Sequence, residues 1–188
     1  MTPSQTAAKP MFSFFQPPVT NTLPARTISL AKCCEMIKLP HPYFDKTTKL
    51  RSFTKPEEKK QYKSQHLAFV CFSGIFSRRS EKSLITHSGL ITIDLDHIPE
   101  PEKLKRDLYY DFELDPAMIF TSPSGNGLKL IVSVDISQGL HSEYFSAISG
   151  YLQKNYNIKA DPSGKDISRA CFLCHDPHIF LNPEYNDR

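Results

Sequence analysis

Gly89-Leu90-Ile91-Thr92-Ile93-Asp94-Leu95-Asp96 is a short apolar, β-branched run that ends in two carboxylates one residue apart. Its length and composition are those of a buried strand. Side chains alternate faces along a strand, so Asp94 and Asp96 point one way while Ile93 and Leu95 point the other. Two carboxylates on one face repel each other unless a cation or a basic partner neutralises them. Hard cations such as Mg²⁺ or Mn²⁺ suit the pair. The competing explanation is local: Asp96 opens a turn and Asp94 caps a neighbouring element.

The segments around this strand set the frame. Met1 to about Arg26 is rich in Pro, Thr, Ser and Gln around the patch Met11–Phe15, and reads as an irregular arm with at most a short edge strand. Residues 27–188 read as one domain. Ala31–Ile37 is a short helix candidate, and Lys55–Gln65 is polar helix or loop. Leu67–Phe72 reads as a buried strand closed by Ser73-Gly74, and Phe76–Ser88 as a polar connection. After the Asp94 strand, Pro99-Glu100-Pro101-Glu102 opens a helix whose apolar face is Leu104, Leu108, Tyr109 and Phe112. Ala117–Thr121 and Leu128–Val134 read as strands, about 140–156 as a second amphipathic helix, and Arg169–Leu173 as a last strand. Strand, helix, strand, strand, helix, strand is the order of a split βαβ sheet, ferredoxin-like or RNA-recognition-like, with helices on one face. The expected class is therefore α+β.

Two further segments carry polar chemistry. In Thr121–Gly127 the turn Ser122-Pro123-Ser124-Gly125-Asn126-Gly127 has two glycines, which allow close backbone approach and exposed N–H groups suited to phosphate. A plain hairpin explains Asn126-Gly127 equally well. Lys129, two residues past the turn, can meet a phosphate, although a lone lysine there is more often a surface residue. Asp161-Pro162-Ser163-Gly164-Lys165-Asp166-Ile167-Ser168-Arg169 brings carboxylates and cations to the last strand. There Asp161 can complete a three-carboxylate site and Arg169 can grip phosphate bidentately, while an Asp166–Arg169 ion pair is the structural alternative.

The 188 residues carry a net charge of +3, which does not by itself announce a nucleic-acid binder. Basic residues do cluster, at Lys46, Lys49, Arg51, Lys55, Lys59, Lys60 and Lys63 and again at Arg78, Arg79 and Lys82. A solvated surface is the ordinary explanation of such a run, and a phosphate-backbone contact the other. No apolar stretch is long enough to span a membrane, and five Cys without a disulfide spacing point to a reducing cytoplasm. Cys171-Phe172-Leu173-Cys174-His175 matches a haem-attachment pattern, but it reads as a strand in a chain without an export signal, so haem is rejected. A zinc site lacks a second ligand pair. No Walker-type loop or serine elbow is present.

Ile93–Asp96, Ser124–Lys129 and the Asp161–Arg169 segment, in this order, resemble the motifs of the archaeo-eukaryotic primase-polymerase superfamily. More closely, Phe72-Ser73-Gly74, Ser88–Asp96, Thr121–Lys129 and Ser168–Phe172 are similar to the VirE N-terminal-type domain of Bacteroides-like mobile elements. The resemblance implies a nucleotidyltransferase that replicates a mobile element, with Asp94, Asp96 and Asp161 as catalytic residues holding Mg²⁺ or Mn²⁺. It implies nucleotide contacts from Ser124, Gly125, Asn126, Gly127, Lys129, Lys165 and Arg169. Its implied partners are a nucleoside triphosphate, DNA and a helicase-like ATPase domain that is not in this chain. Lys129 stands where the superfamily has a nucleotide-binding His, and lysine cannot act as a neutral imidazole. Two alternatives stand beside this one: a non-catalytic DNA-binding module, weakened by changes at Lys59, Lys60 or Arg78, and a metal-dependent nuclease.

Overall fold

The computed structural model describes residues 9–186, so the first eight residues of the arm fall outside it. Among the described residues the chain is mixed α+β, with five α-helices and antiparallel sheets. The N-terminal part contributes β1 (Met11–Phe15), β2 (Arg26–Ser29), α1 (Leu30–Lys38), α2 (Phe44–Ser52), α3 (Pro56–His66) and β3 (Phe69–Cys71). A hairpin of β4 (Gly74–Phe76) and β5 (Leu84–His87) follows. Then come β6 (Leu90–Leu95), α4 (Pro101–Tyr109), β7 (Pro116–Thr121), β8 (Leu128–Ser133) and α5 (His141–Tyr156), and finally β9 (Cys171–Phe172) and β10 (Phe180–Leu181).

Two four-stranded sheets result, ordered β2-β1-β3-β9 and β10-β7-β8-β6. In the second, β6 and β7 are joined through α4 and both pair antiparallel with β8. Every residue of β6 and β7 is buried, which is why these strands read as continuous apolar runs. Ile91, Ile93 and Leu95 of β6 pack with Leu104 and Leu108 of α4 and Phe145, Ile148 and Leu152 of α5. Each such side chain contributes about 1.5–3 kcal/mol by leaving water. The opposite face, with Leu90, Phe120 and Ile131, packs on Phe12, Phe14 and Val70 of the first sheet and on α1. One face of the Asp94-bearing sheet thus carries helices, and the other carries mainly a second sheet.

Several expectations are corrected. The patch Met11–Phe15 is not part of an irregular arm: β1 is an inner strand between β2 and β3, and Phe12, Phe14 and Phe15 are buried. The 76–88 connection contains the β4–β5 hairpin. The last strand does not complete the Asp94 sheet, because β9 pairs with β3. The segment before it is what meets β6 here: the Asp161 N–H donates to the Asp94 carbonyl, and Arg169 reaches the Asp94 side chain. Phe112 lies beyond the end of α4 and is 92% exposed, so it has no place on that helix's apolar face. α2 has no counterpart in the sequence reading.

Two histidines tie the hairpin to α5. The Gly89 N–H donates to His87 Nδ1 at 2.9 Å, so His87 carries its proton on Nε2, which lies 3.1 Å from His141 Nδ1. The remaining nitrogen of His141 then donates to the Gly164 carbonyl at 3.2 Å. Both rings are neutral in this chain. Burial pushes His87 down to about 4, helped by the neighbouring His141, and burial lowers His141 as well. The unfolded chain takes up protons near the ordinary histidine value of 6.5, while the folded pair resists them. Stability is therefore expected to be full above pH 6.5 and to fall as pH drops from 6.5 toward about 4. Thermal melts across that window check this, and His141→Asn should flatten the decline.

Candidate functional site

Asp94 and Lys129 are directly opposed in the β6–β8 ladder, and opposed side chains on one face of adjacent strands meet. Lys129 Nζ lies 2.7 Å from Asp94 Oδ1, with both side chains largely buried. Arg169, from the loop before β9, places Nη2 3.5 Å from Asp161 Oδ2 and 4.0 Å from Asp94 Oδ2. Asp161 Oδ1 in turn accepts the Ser163 N–H at 2.9 Å. The structure thus joins four of the expected residues (Asp94, Lys129, Asp161, Arg169) in one cluster. Arg169 pairs with Asp161 and Asp94 and not with Asp166, whose Oδ1 accepts from the N–H and hydroxyl of Ser168.

The electrostatics follow from this arrangement. Burial alone would pull the Lys129 ammonium down, but the Asp94 carboxylate outweighs burial and holds it above its ordinary value. Burial would raise Asp161, but the Ser163 N–H and the Arg169 guanidinium hold it below the usual carboxylate range. Lys63 of α3 is pulled below its ordinary value by burial and then by the Lys129 ammonium.

A cavity of about 640 Å³ lies against the cluster, which is the size of a small-molecule site. Six cations line it: Lys59, Lys60 and Lys63 of α3, Arg79, Lys129 and Arg169. The carboxylates there are Asp94 and Asp166, and Leu50, Ala170 and Phe172 give it an apolar wall. Ser124 also reaches it. Lys63 Nζ stands 5.4 Å from the centre of the Phe172 ring.

The glycine-rich turn is held from α2. Arg51 donates from Nε to the Pro123 carbonyl at 3.2 Å and from Nη2 to the Ser122 carbonyl at 3.3 Å. Gly125 has φ +84°, which favours glycine, and a Cβ there would stand 3.2 Å from Arg51 Nε. A Cβ on Gly127 would collide with the Leu95 carbonyl oxygen, so glycine lets β6 approach the turn. Asn126 is exposed; it accepts from the Ser124 hydroxyl at 2.7 Å, and its carbonyl accepts from the Ile98 N–H.

Not every expected residue joins the site. Asp96 and Lys165 are exposed, and neither lines the cavity, nor does Asp161. Of the expected DNA contacts, Lys59 and Lys60 line the cavity and Arg78 does not; its neighbour Arg79 does. The carboxylates do not fit a divalent ion as they stand. Lys129 occupies the approach to Asp94, Arg169 lies beside Asp161, and among the described residues no three His, Cys, Asp or Glu come together to hold a metal. The five cysteines are free and buried, so Cys171 and Cys174 are both core residues. Arg51 and Arg79 stood in the basic runs, and Phe172 in the last strand, without these roles, which depend on contacts far apart in the chain. Among the described residues no helix is long and apolar enough to cross a membrane.

No curated protein and no solved structure matches the chain. The family described as BT4734-like, N-terminal domain matches residues 61–181, which include β6, β8, the glycine-rich turn and the Asp161–Arg169 segment. The chain belongs to the BT4734-like N-terminal domain family.

Proposed function

We propose that this domain binds the phosphate groups of nucleotides or DNA, as a primase-polymerase-like module serving replication of a mobile element. The carrying observation is the cavity: six cations converge on it against two carboxylates. Such an excess within a confined, partly apolar space favours a polyanion that also presents a flat apolar group. The phosphates of a nucleotide would meet Lys63, Lys129 and Arg169, and a base would meet the Phe172 side of the wall.

The arrangement of β6, α4, β7 and β8, with β8 between the other two, supports the primase-polymerase-like frame. The likeness to VirE N-terminal-type domains supports the setting, in which DNA is passed to a helicase-like ATPase. The reading is of binding and not of nucleotidyl transfer. Two of the three carboxylates that transfer would assign to Mg²⁺ or Mn²⁺, Asp94 and Asp161, are engaged by Lys129 and Arg169, and the third, Asp96, does not line the cavity.

The test is equilibrium binding of a fluorescent nucleoside triphosphate and of a labelled oligothymidylate. Arg169→Ala combined with Lys63→Ala is expected to weaken binding at least about tenfold, the equivalent of roughly 1.4 kcal/mol. For the oligothymidylate, affinity should fall with salt by a slope of about −0.7 per phosphate neutralised. Failure of the wild-type domain to bind either probe at low salt would sink the proposal.

A further inference from the structure

We propose that the cavity takes phosphate without a divalent metal, because Lys129 itself supplies the positive charge that a metal ion would bring to Asp94. The inference rests on the phosphate-binding reading above and deepens it.

The geometry is specific. Asp94 is 5% exposed and belongs to a strand buried along its whole length. A bound Mg²⁺ would sit about 2.0–2.1 Å from a carboxylate oxygen. Lys129 Nζ is 2.7 Å from Oδ1, in the space where such an ion and its waters would stand. The ladder fixes this position, since Asp94 and Lys129 are register partners on neighbouring strands. Asp161 is already partnered on both oxygens, Oδ1 by the Ser163 N–H and Oδ2 by the Arg169 guanidinium at 3.5 Å. Asp96, on the same face, is exposed and does not line the cavity, although its charge reaches Lys63 and Lys129 there.

An ammonium group has three N–H donors and no preferred coordination geometry. With one side turned to Asp94, Lys129 still lines the cavity and can donate to a phosphate oxygen there. Arg169 does likewise beside Asp161, and Lys63 arrives from α3. A phosphate entering the cavity therefore meets fixed protein cations, where a metal-dependent site would present carboxylates awaiting an ion.

The experiment is titration of the wild-type domain with a fluorescent ATP analogue, in excess EDTA and in millimolar Mg²⁺, with Asp94→Asn measured alongside. The affinity in EDTA is expected to equal or exceed that in Mg²⁺, since the ion competes for the phosphates. Asp94→Asn keeps the side chain's shape and leaves Lys129 to the ligand, whose phosphate replaces the carboxylate as its counter-ion, so it should bind as tightly as wild type or up to about tenfold tighter. A metal-held site predicts the reverse on both counts. Binding seen only with Mg²⁺ or Mn²⁺, or lost in a folded Asp94→Asn, would overturn the inference and leave phosphate binding intact. Absence of binding in every condition would defeat the phosphate-binding reading and this inference with it.

Discussion

Asp176→Ala is expected to destabilise the domain by about 3 kcal/mol, the cost of taking away the buried partner of the Lys105 ammonium and leaving it only the half-exposed Glu102. Asp176 lies 2.8 Å from Lys105 Nζ, and the two side chains are 5% and 6% exposed. The same carboxylate accepts the Thr121 N–H at 2.7 Å and the His178 N–H at 3.0 Å. It thereby joins α4, the end of β7 and the segment leading to β10. A loss of that size is a large part of the roughly 5–15 kcal/mol available to a typical domain. Urea unfolding followed by circular dichroism measures it. Glu102→Ala is the control: Glu102 also reaches Lys105, at 3.1 Å, but is half exposed, so it should cost about 1 kcal/mol or less. Burial would raise the Asp176 carboxyl, but Lys105 and the backbone donors hold it below the ordinary value. Its stabilisation is thus present above the unfolded carboxylate value, and acid removes it as pH falls through the lowered one.

The second large effect concerns the site itself. Lys129→Met leaves Asp94 buried with only Arg169, 4.0 Å away, as a counter-ion, and should cost about 3 kcal/mol. Adding Asp94→Leu removes the orphaned charge and fills its space, and the double variant should return to within about 1 kcal/mol of wild type. The coupling between the two positions, read from a double-mutant cycle of urea midpoints, is thus expected to be about 2 kcal/mol or more. Additive losses would show that the pair is not coupled. The stable double variant also separates folding from function, since it keeps the fold and lacks the ammonium needed for phosphate.

Three strands of the second sheet, β6, β7 and β8, were legible because their determinants are local, whereas the two-residue β10 was not. The apolar runs of β6, β7 and β8 and the spaced apolar residues of α4 and α5 lie within single segments, and short-range patterning reports them. Asp94, Lys129, Asp161 and Arg169 could be named for the same reason, since each closes or opens a recognisable element. What failed was non-local. Phe12, Phe14 and Phe15 are flanked by Pro and by polar residues, so nothing local shows that β1 sits between two strands. The destination of β9 is decided by pairing with Phe69 and Val70, about a hundred residues earlier. Tyr109 and Phe112 have helical spacing, but α4 stops at Tyr109 and leaves Phe112 in water. The same limit hid the site's charge balance. A DxD pattern is visible in one segment, whereas its neutralisation by Lys129, and the part played by α3 and Arg51, exist only after folding.

The place of β1 has a practical consequence for where this domain can be cut. The stretch shared with the family begins at residue 61, inside α3. A fragment that began there would strip β1 from β3 and leave Phe69, Val70 and Cys71 as an uncovered apolar edge, the kind of edge that recruits other chains. It would also lose Arg51, the brace of the glycine-rich turn, and the lysines at 59 and 60. A piece that keeps both β1 and the cavity therefore has to start ahead of Met11, some fifty residues before the stretch the family shares.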